Sequence, residues 1–426
     1  MRILRLTQST ISPNKYRVEL VFECDGSPRQ TATVEFDFAL TPQDRESLRW
    51  YLEDYLQHAA DPAPQIAARI ERRIGEIGDQ LFQQVFESSK TAERLWARLQ
   101  EHLNETRIEI VAEVQKATAI PWELLRDPVT ETHLALEANA FVRTQTDMAR
   151  IPKLPQLSMM EDKSVEPIRI LLVICRPCGS DDVPFRSVAS RLIKGLNESS
   201  RDAYQLDVLR PPTFARLGKV LRTAKAEGKP YHVVHFDGHG KYAEAKQAGE
   251  LSAILCDLGS LTLSIPRAGA HGYLLFENPS VEGNAQLVDG LALGKLLAET
   301  DVPVLVLNAC RSAHAEAPAT PEMTLEQADS TDAAQHESAH QDTHMQVRAF
   351  GSLAQEVVNA GVGGVVAMRY NVYVVTAAQF VFDLYESLVG GQTLGEAVTL
   401  GRKQLETQPL REIAYRPRPL QDWMVP

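Results

Sequence analysis

Two short stretches of the chain decide its predicted fold. Residues 233–240 read Val-Val-His-Phe-Asp-Gly-His-Gly, and residues 304–312 read Val-Leu-Val-Leu-Asn-Ala-Cys-Arg-Ser. Each is an apolar run, typical of a strand buried on both faces, that ends in a reactive side chain beside turn residues. In α/β enzymes the functional groups follow the carboxyl ends of parallel strands. The two stretches therefore predict that His239 and Cys310 act together as a base and a nucleophile.

The segments around these stretches alternate between strand and helix patterns. Short apolar runs are typical of buried strands, and longer amphipathic runs are typical of helices that cover a sheet. We predict strands at 168–174, 204–209, 231–235, 302–307 and 364–367, and helices at 188–196, 217–226, 291–298, 353–360 and 377–388. This order predicts an α/β fold with a mostly parallel sheet flanked by helices.

The N-terminal part of the chain follows a different pattern. Alternating apolar and polar residues indicate strands, and a Thr cap followed by Pro indicates a helix start. We predict a β-hairpin with strands at 17–23 and 32–38, helices from Thr41 to about Leu103, a strand at 108–114, and a helix with Pro121 at its first position.

The length of 426 residues exceeds what one hydrophobic core usually serves. Residues 151–167 are rich in proline and have the composition of a linker. We therefore expect an N-terminal α+β domain over residues 1–155, with a supporting or regulatory role, and the α/β domain over residues 156–426.

The composition excludes several classes of protein. With 44% hydrophobic and 23% charged residues, the chain is typical of a globular protein. No run approaches the roughly 20 apolar residues of a membrane span, and the N-terminus lacks the pattern of a secretion signal. The five cysteines have no regular spacing, which is typical of reduced thiols. We therefore expect a cytoplasmic protein with no membrane partner.

The chain carries a formal net charge of −12 and has a pI near 5.5. This charge argues against non-specific nucleic-acid binding, because such proteins need a basic surface. It favours a basic substrate or partner instead.

Several motifs resemble one known family. Residues 308–312, Asn-Ala-Cys-Arg-Ser, are similar to the caspase signature Q-A-C-R-G, from which they differ at the first and last positions. The Pro-Trp-Glu-Leu-Leu run at 121–125, the Gly-rich pattern at 391–397 and the ending Asp-Trp-Met-Val-Pro at 422–426 resemble motifs of CHAT proteins. The chain is therefore similar to the caspase-like cysteine peptidases of clan CD, and within them to the CHAT family. The family's terminal motif is usually followed by further apolar residues, so we expect the natural chain to extend beyond Pro426.

The resemblance implies a role for each residue of the predicted site. Cys310 would be the nucleophile and His239 its base, and the backbone N–H groups of Gly240 and Cys310 would form the oxyanion hole. The alternative for Cys310 is a small buried hydrophobic residue. His235 lies within the predicted strand and is expected to be a packed or hydrogen-bonded core residue. Asp237 or a backbone carbonyl would orient His239.

Residues that follow the first predicted strand of the α/β domain bear on substrate preference. In caspase-like folds this loop borders the pocket for the substrate residue before the cut. Asp181 and Asp182 would hold an Arg or Lys side chain there, whereas Arg176, if it points inward, would favour an acidic one. Cys175 and Cys178 form a C-x-x-C pair, but the chain has no further thioredoxin or zinc motif around them.

The stretch at 313–347 contains no Lys or Arg. Its composition predicts a disordered acidic insertion, and the alternative is a metal site formed by its histidines, His314, His336, His340 and His344. The chain has no phosphate-binding loop motif, so we expect no cofactor and no metal. The exception to this expectation would be a requirement for calcium, because the related metacaspases use that ion.

The resemblance implies a cysteine endopeptidase that cuts a protein effector at a limited number of sites. Asp181 and Asp182 predict that it cuts after a basic residue. The resemblance implies a role in bacterial defence against phage, with a gasdermin-like or other effector encoded nearby as the protein substrate. We also expect an activating partner or further C-terminal domains. The alternative is a catalytically silent caspase-like module for signalling or binding.

Overall fold

A computed structural model describes most of the chain. The described residues are 2–57, 59–112, 120–144, 167–177, 203–245, 262–263, 269–281, 283–308, 353–368, 370, 373–413 and 416–426. They form two compact units. Within the described residues, unit 1 comprises residues up to 144 together with 392–424, and unit 2 comprises 167–308, 353–391 and 425–426. The predicted domain boundary between residues 155 and 156 lies outside the described residues and stays a prediction.

Unit 1 contains a five-stranded mixed sheet. Its strands are β1 (Arg2–Ser12), β2 (Lys15–Cys24), β3 (Gln30–Asp37), β4 (Thr106–Ala112) and β7 (Ala140–Thr144), in the order β3-β2-β1-β4-β7. The first three strands are antiparallel, whereas β4 runs parallel to β1 and β7 parallel to β4. The predicted hairpin and the predicted strand at 108–114 are confirmed, the latter up to Ala112. β1 is an additional strand that the sequence interpretation did not include.

Helices and short hairpins complete unit 1. The helices are α1 (Pro42–Arg49), α2 (Ala63–Phe82), α3 (Lys90–Leu99), α4 (Leu134–Glu137) and α8 (Leu394–Thr407), and the hairpins pair β5 (Arg126–Asp127) with β6 (Thr132–His133) and β17 (Leu410–Ile413) with β18 (Arg416–Pro419). The Thr41 hydroxyl accepts a hydrogen bond from the Asp44 N–H, as expected of a helix cap. This confirms the predicted start of α1.

One local prediction in unit 1 is wrong. Pro121 is not the first residue of a regular helix, because it precedes a single 3-10 turn at Trp122–Leu124. The indole of Trp122 is fully buried and donates to the Gln8 side chain at 2.9 Å. β5 begins at Arg126, which leaves no room for a longer helix.

Unit 2 contains a five-stranded sheet in which every pair of neighbours is parallel. Its strands are β8 (Ile168–Ile174), β9 (Tyr204–Val208), β10 (Val233–Asp237), β15 (Val304–Asn308) and β16 (Gly364–Ala367), in the order β16-β15-β10-β8-β9. All residues of β10 and β15 are buried, which explains why both strands read as continuous apolar runs. The predicted α/β fold with a mostly parallel sheet is confirmed.

Helices pack on this parallel sheet. They are α5 (Phe214–Ala226), α6 (Gly290–Glu299), a helical segment at 353–359 and α7 (Val374–Val389). The segment at 353–359 approaches α6 closely at Gly294, where a Cβ atom would lie 2.8 Å from the Val357 Cα. Any larger residue at 294 would therefore push the two helices apart. The predicted helix at 188–196 lies outside the described residues.

A smaller sheet in unit 2 interrupts the strand-helix alternation. It consists of β11 (Gly240–Ala245), β12 (Thr262–Leu263), β13 (Gly269–Glu277) and β14 (Ala285–Asp289), in the order β11-β13-β14-β12. β11 begins directly after His239, so this sheet extends from the predicted site. None of the helices in the described part of the chain is long and apolar enough to cross a bilayer.

Candidate active site

His239 lies in a tight turn between two strands. β10 ends at Asp237 and β11 begins at Gly240. At Gly238 the chain approaches its neighbours closely, since a Cβ atom there would lie 2.9 Å from the Phe236 ring. The Gly238 N–H donates to the Asn308 carbonyl at 3.2 Å, and the His239 carbonyl accepts from the Leu275 N–H at 3.0 Å. The turn is therefore held from β15 on one side and from β13 on the other.

Asp237, immediately before this turn, belongs to a buried ion pair. Its carboxylate is 1% exposed and receives a hydrogen bond from the Arg176 guanidinium at 3.0 Å. Burial raises the pKa of Asp237, and the positive charge of Arg176 opposes that rise. His239 has a smaller effect on the pKa of Asp237, in the same direction as Arg176.

The second histidine of the first motif has a structural role. His235 is fully buried, and its Nδ1 lies 2.8 Å from the Tyr385 hydroxyl on α7. Burial lowers the pKa of His235 to about 4 and raises the pKa of Tyr385. A neutral histidine in this position cannot exchange protons with a substrate at the surface, so the prediction of a core residue is confirmed. The neighbouring His232 accepts a hydrogen bond from the Arg169 N–H at 2.9 Å.

The predicted nucleophile itself is outside the described residues, as are Asp181, Asp182 and the insertion at 313–347. The strand that leads to Cys310 is described. In β15, Asn308 pairs in register with Asp237 of β10. Cys310 follows Asn308 by two residues, as His239 follows Asp237 by two residues. Gly240, the predicted oxyanion residue, opens β11 opposite Leu274.

Comparison with protein-family models supplies the family. The model of the CHAT domain matches residues 75–423, which is most of the chain. The chain belongs to the CHAT domain family. This domain is caspase-like and related to the clan CD peptidases. No curated protein sequence matches the chain.

In this CHAT domain the C-x-x-C cysteine that is described is not a reactive thiol. Cys175 is fully buried, and its Sγ lies 3.4 Å from the Pro212 carbonyl, which accepts its hydrogen bond. Burial raises the pKa of Cys175, so the thiol stays protonated at neutral pH. Cys178 lies outside the described residues. Among the described residues, no three His, Cys, Asp or Glu side chains cluster in a way that would hold a metal ion.

Arg176, for which the sequence offers a substrate-binding role, lies beside the His239 turn. Its guanidinium binds the Asp237 carboxylate and also donates to the backbone carbonyls of Cys175 at 2.8 Å and of Asp237 at 3.0 Å. Sequence reasoning missed this network. The available signal was an arginine just after one strand and an aspartate at the end of another, but their pairing depends on the register of β8 and β10.

Proposed function

We propose that this CHAT domain is a cysteine endopeptidase that uses Cys310 as nucleophile and His239 as base. The observation that carries the proposal is the register of β10 and β15. Asp237 and Asn308 are paired, and the two reactive residues follow them at equal distances along the chain. Neighbouring parallel strands lie about 4.8 Å apart, so the strand ends that precede His239 and Cys310 lie at adjacent positions on the same edge of the sheet.

The chemistry follows from the properties of a thiol. A free cysteine has a pKa of about 8.5 and is mostly protonated at neutral pH, so the nearby imidazole of His239 has to accept its proton. The Cys310 thiolate then attacks the scissile carbonyl carbon, and the N–H groups of Gly240 and Cys310 bind the developing oxyanion. The protonated His239 donates to the leaving amine as the peptide bond breaks. Water hydrolyses the resulting thioester and regenerates the thiol.

We propose that the enzyme cuts after Arg or Lys. Asp181 and Asp182 follow β8 along the chain and would supply carboxylates to a basic side chain of the substrate. Arg176 supports this preference because Asp237 balances its charge, and because the Glu277 carboxylate accepts its backbone N–H at 3.0 Å. The carboxylates of Asp181 and Asp182 would repel an acidic substrate side chain.

We further propose limited proteolysis of a protein effector in the bacterial cytoplasm, with antiphage defence as the biological setting. The insertion at 313–347 has no basic residue, so an enzyme specific for Arg or Lys cannot excise it by cutting inside it. We therefore expect activation by rearrangement, triggered by a partner or by further domains, rather than by self-cleavage of this loop.

The test uses peptide substrates and the proteins encoded by neighbouring genes. Purified protein is incubated with fluorogenic peptides that carry Arg, Lys, Asp or Leu before the reporter, and with the candidate effectors, whose new termini are mapped by mass spectrometry. We expect cleavage after Arg or Lys that is lost in Cys310→Ala. Cleavage after Asp would contradict the pocket assignment. Turnover that survives in Cys310→Ala would contradict the proposed nucleophile, and a wild-type protein that cuts nothing but binds an effector would favour the silent signalling module.

A further inference from the structure

The guanidinium of Arg176 donates hydrogen bonds to three acceptors at the ends of two neighbouring strands. Two of these acceptors are the carbonyls of Cys175 and Asp237, and the third is the buried Asp237 carboxylate. The Asp237 carbonyl is also bound by the Cys175 N–H at 2.9 Å. The last residue of β10 is thereby fixed to the end of β8 through its main chain and its side chain.

The same contacts continue around the His239 turn. The Arg176 N–H donates to the carboxylate of Glu277, the last residue of β13. β13 also holds the turn directly, because the Leu275 N–H binds the His239 carbonyl. Arg176 therefore connects the end of β10, through its side chain, with the end of β13, through its backbone N–H.

We propose that Arg176 is a positioning residue that fixes the His239 turn and neutralises Asp237 beside it. This inference rests on the proposed function, since it assigns Arg176 to the alignment of the proposed base. It differs from the sequence-based alternative, in which Arg176 holds an acidic side chain of the substrate. The side chain is 14% exposed, and its charge is already matched by Asp237.

Loss of the Arg176 guanidinium would leave a buried charge beside a short loop. Without the guanidinium, the 1% exposed Asp237 carboxylate loses the cation that pairs with it at 3.0 Å. A carboxylate left without its cation either takes up a proton or draws a new positive group toward itself. His239 follows Asp237 by two residues, so we expect its imidazole to shift toward the unpaired carboxylate and to serve less well as the proposed base.

Alkylation of Cys310 by iodoacetamide separates the two roles. This reagent has no side chain that could occupy a specificity pocket, so its rate reports on the base and the nucleophile alone. The alkylation rate of the Cys310 peptide is followed by mass spectrometry in the full chain for wild type, Arg176→Met, Arg176→Lys and His239→Ala. Arg222→Met is the matched control, because Arg222 lies in the same unit and pairs with Glu299 at the surface. Thermal unfolding is recorded for each variant.

We expect Arg176→Met to slow alkylation by about tenfold, as for a misplaced functional group. Arg176→Lys keeps the charge but not the planar set of donors, so it should recover part of the rate. The Arg222→Met control should react like the wild type. If Arg176→Met unfolds below the assay temperature, Arg176→Lys is compared with the wild type instead. A folded Arg176→Lys variant in which Cys310 is alkylated more slowly than in the wild type would then support the positioning role.

Other outcomes overturn the inference or its premise, and they can be told apart. A folded Arg176 variant that alkylates at the wild-type rate but no longer cleaves peptides would assign Arg176 to substrate binding. An equal loss in Arg222→Met would show that the effect is not specific to the turn. If Cys310 of the wild type reacts no faster than in His239→Ala, the proposed function fails first.

Discussion

Unit 1 and unit 2 both contain buried arginine–aspartate pairs, and two of these pairs lie in instructively different surroundings. In unit 1, Arg411 and Asp422 are 2% and 3% exposed, and Arg411 also donates to the Leu405 carbonyl at 2.9 Å. In unit 2, Arg176 and Asp237 stand next to the His239 turn. The same type of interaction thus holds the C-terminal hairpin in one unit and a proposed catalytic loop in the other.

The two main sheets show the same contrast. The sheet of unit 1 alternates buried apolar residues with polar ones, and its polar face carries cross-strand ion pairs such as Arg17–Glu35 and Arg5–Glu109. The parallel sheet of unit 2 has buried apolar strands, and its polar groups follow the carboxyl ends. The comparison indicates that polar residues stabilise the surface in unit 1, whereas in unit 2 they gather where chemistry is expected.

The largest effect is expected from breaking the buried pair of unit 1. Asp422→Ala leaves the Arg411 charge buried without its carboxylate, which should cost about 3–5 kcal/mol of stability. Hydrogen exchange measured by mass spectrometry should increase in unit 1. Alkylation of Cys310 in molecules that remain folded should be unchanged. Slower alkylation of Cys310 in folded Asp422→Ala would show that the Arg411–Asp422 pair also affects the proposed catalytic residues.

Acidification should weaken both units by a similar mechanism. Burial lowers the pKa of His133 in unit 1 and of His235 in unit 2 to about 4. Unfolded histidines titrate near pH 6.5, so between about pH 6.5 and 4 the unfolded chain binds more protons than the folded one. This contribution to stability is present at neutral pH and is lost as the pH falls, by about 2 kcal/mol for each histidine near pH 5.

Hydrogen exchange near pH 7 and pH 5, corrected for the intrinsic exchange rate, tests this expectation in each unit. His133→Gln should flatten the pH dependence in unit 1 and leave that of unit 2 unchanged. An unchanged profile in unit 1 would show that His133 is not the group responsible.

The sequence allowed the strands of the parallel sheet and the first hairpin to be predicted because their patterns are local, whereas the sheet of β11 to β14 was not predicted. Mostly apolar runs mark β10 and β15, and alternation of buried and exposed residues marks β3 and the first half of β2. The placement of α8 depends on contacts far apart in the chain. Its Thr399 accepts a hydrogen bond from the Phe141 N–H, 258 positions away, which no local pattern encodes. For the same reason residues 392–424 belong with unit 1 although they follow unit 2 along the chain.

The candidate site was predictable only in part for a related reason. Glycines and a histidine after a buried strand marked the turn, and the burial of His235 followed from its place inside the strand. The roles of Arg176 and Glu277 required the register of β8 with β10 and the presence of β13. A charged residue after a strand has the same local pattern whether it faces a pocket or pairs with a neighbouring strand.

A smaller effect should follow from opening the edge of the unit 1 sheet. β7 is an edge strand, and Thr399 and Arg402 of α8 bind the N–H and carbonyl of Phe141 at 3.1 and 3.2 Å. Thr399→Val removes one acceptor and leaves the Phe141 N–H unpaired, which should cost about 1–3 kcal/mol. Thr407→Val, an exposed position on the same helix, is the control. Equal loss of stability in both variants would argue against a specific role of the edge contact.

The smallest effect is expected at the surface of unit 2. Arg222 and Glu299 form an ion pair whose side chains are more than half exposed, at 57% and 53%. Exposed pairs contribute little because water and salt screen them. Glu299→Gln should leave the melting temperature and the Cys310 alkylation rate unchanged. A clear drop in the melting temperature or in the alkylation rate would show that this exposed ion pair matters as much as the buried pair of unit 2.

The most direct test of the central claim is the site of covalent labelling by a peptidyl acyloxymethyl ketone with Arg at the reactive end. We predict that the label attaches to Cys310 in the wild type and in Cys175→Ala, and that it is absent from Cys310→Ala and His239→Ala. Cys175→Ala is the matched control because that thiol is buried and protonated. Labelling of another cysteine, or undiminished labelling of Cys310 in His239→Ala, would contradict the assignment of His239 and Cys310 as base and nucleophile.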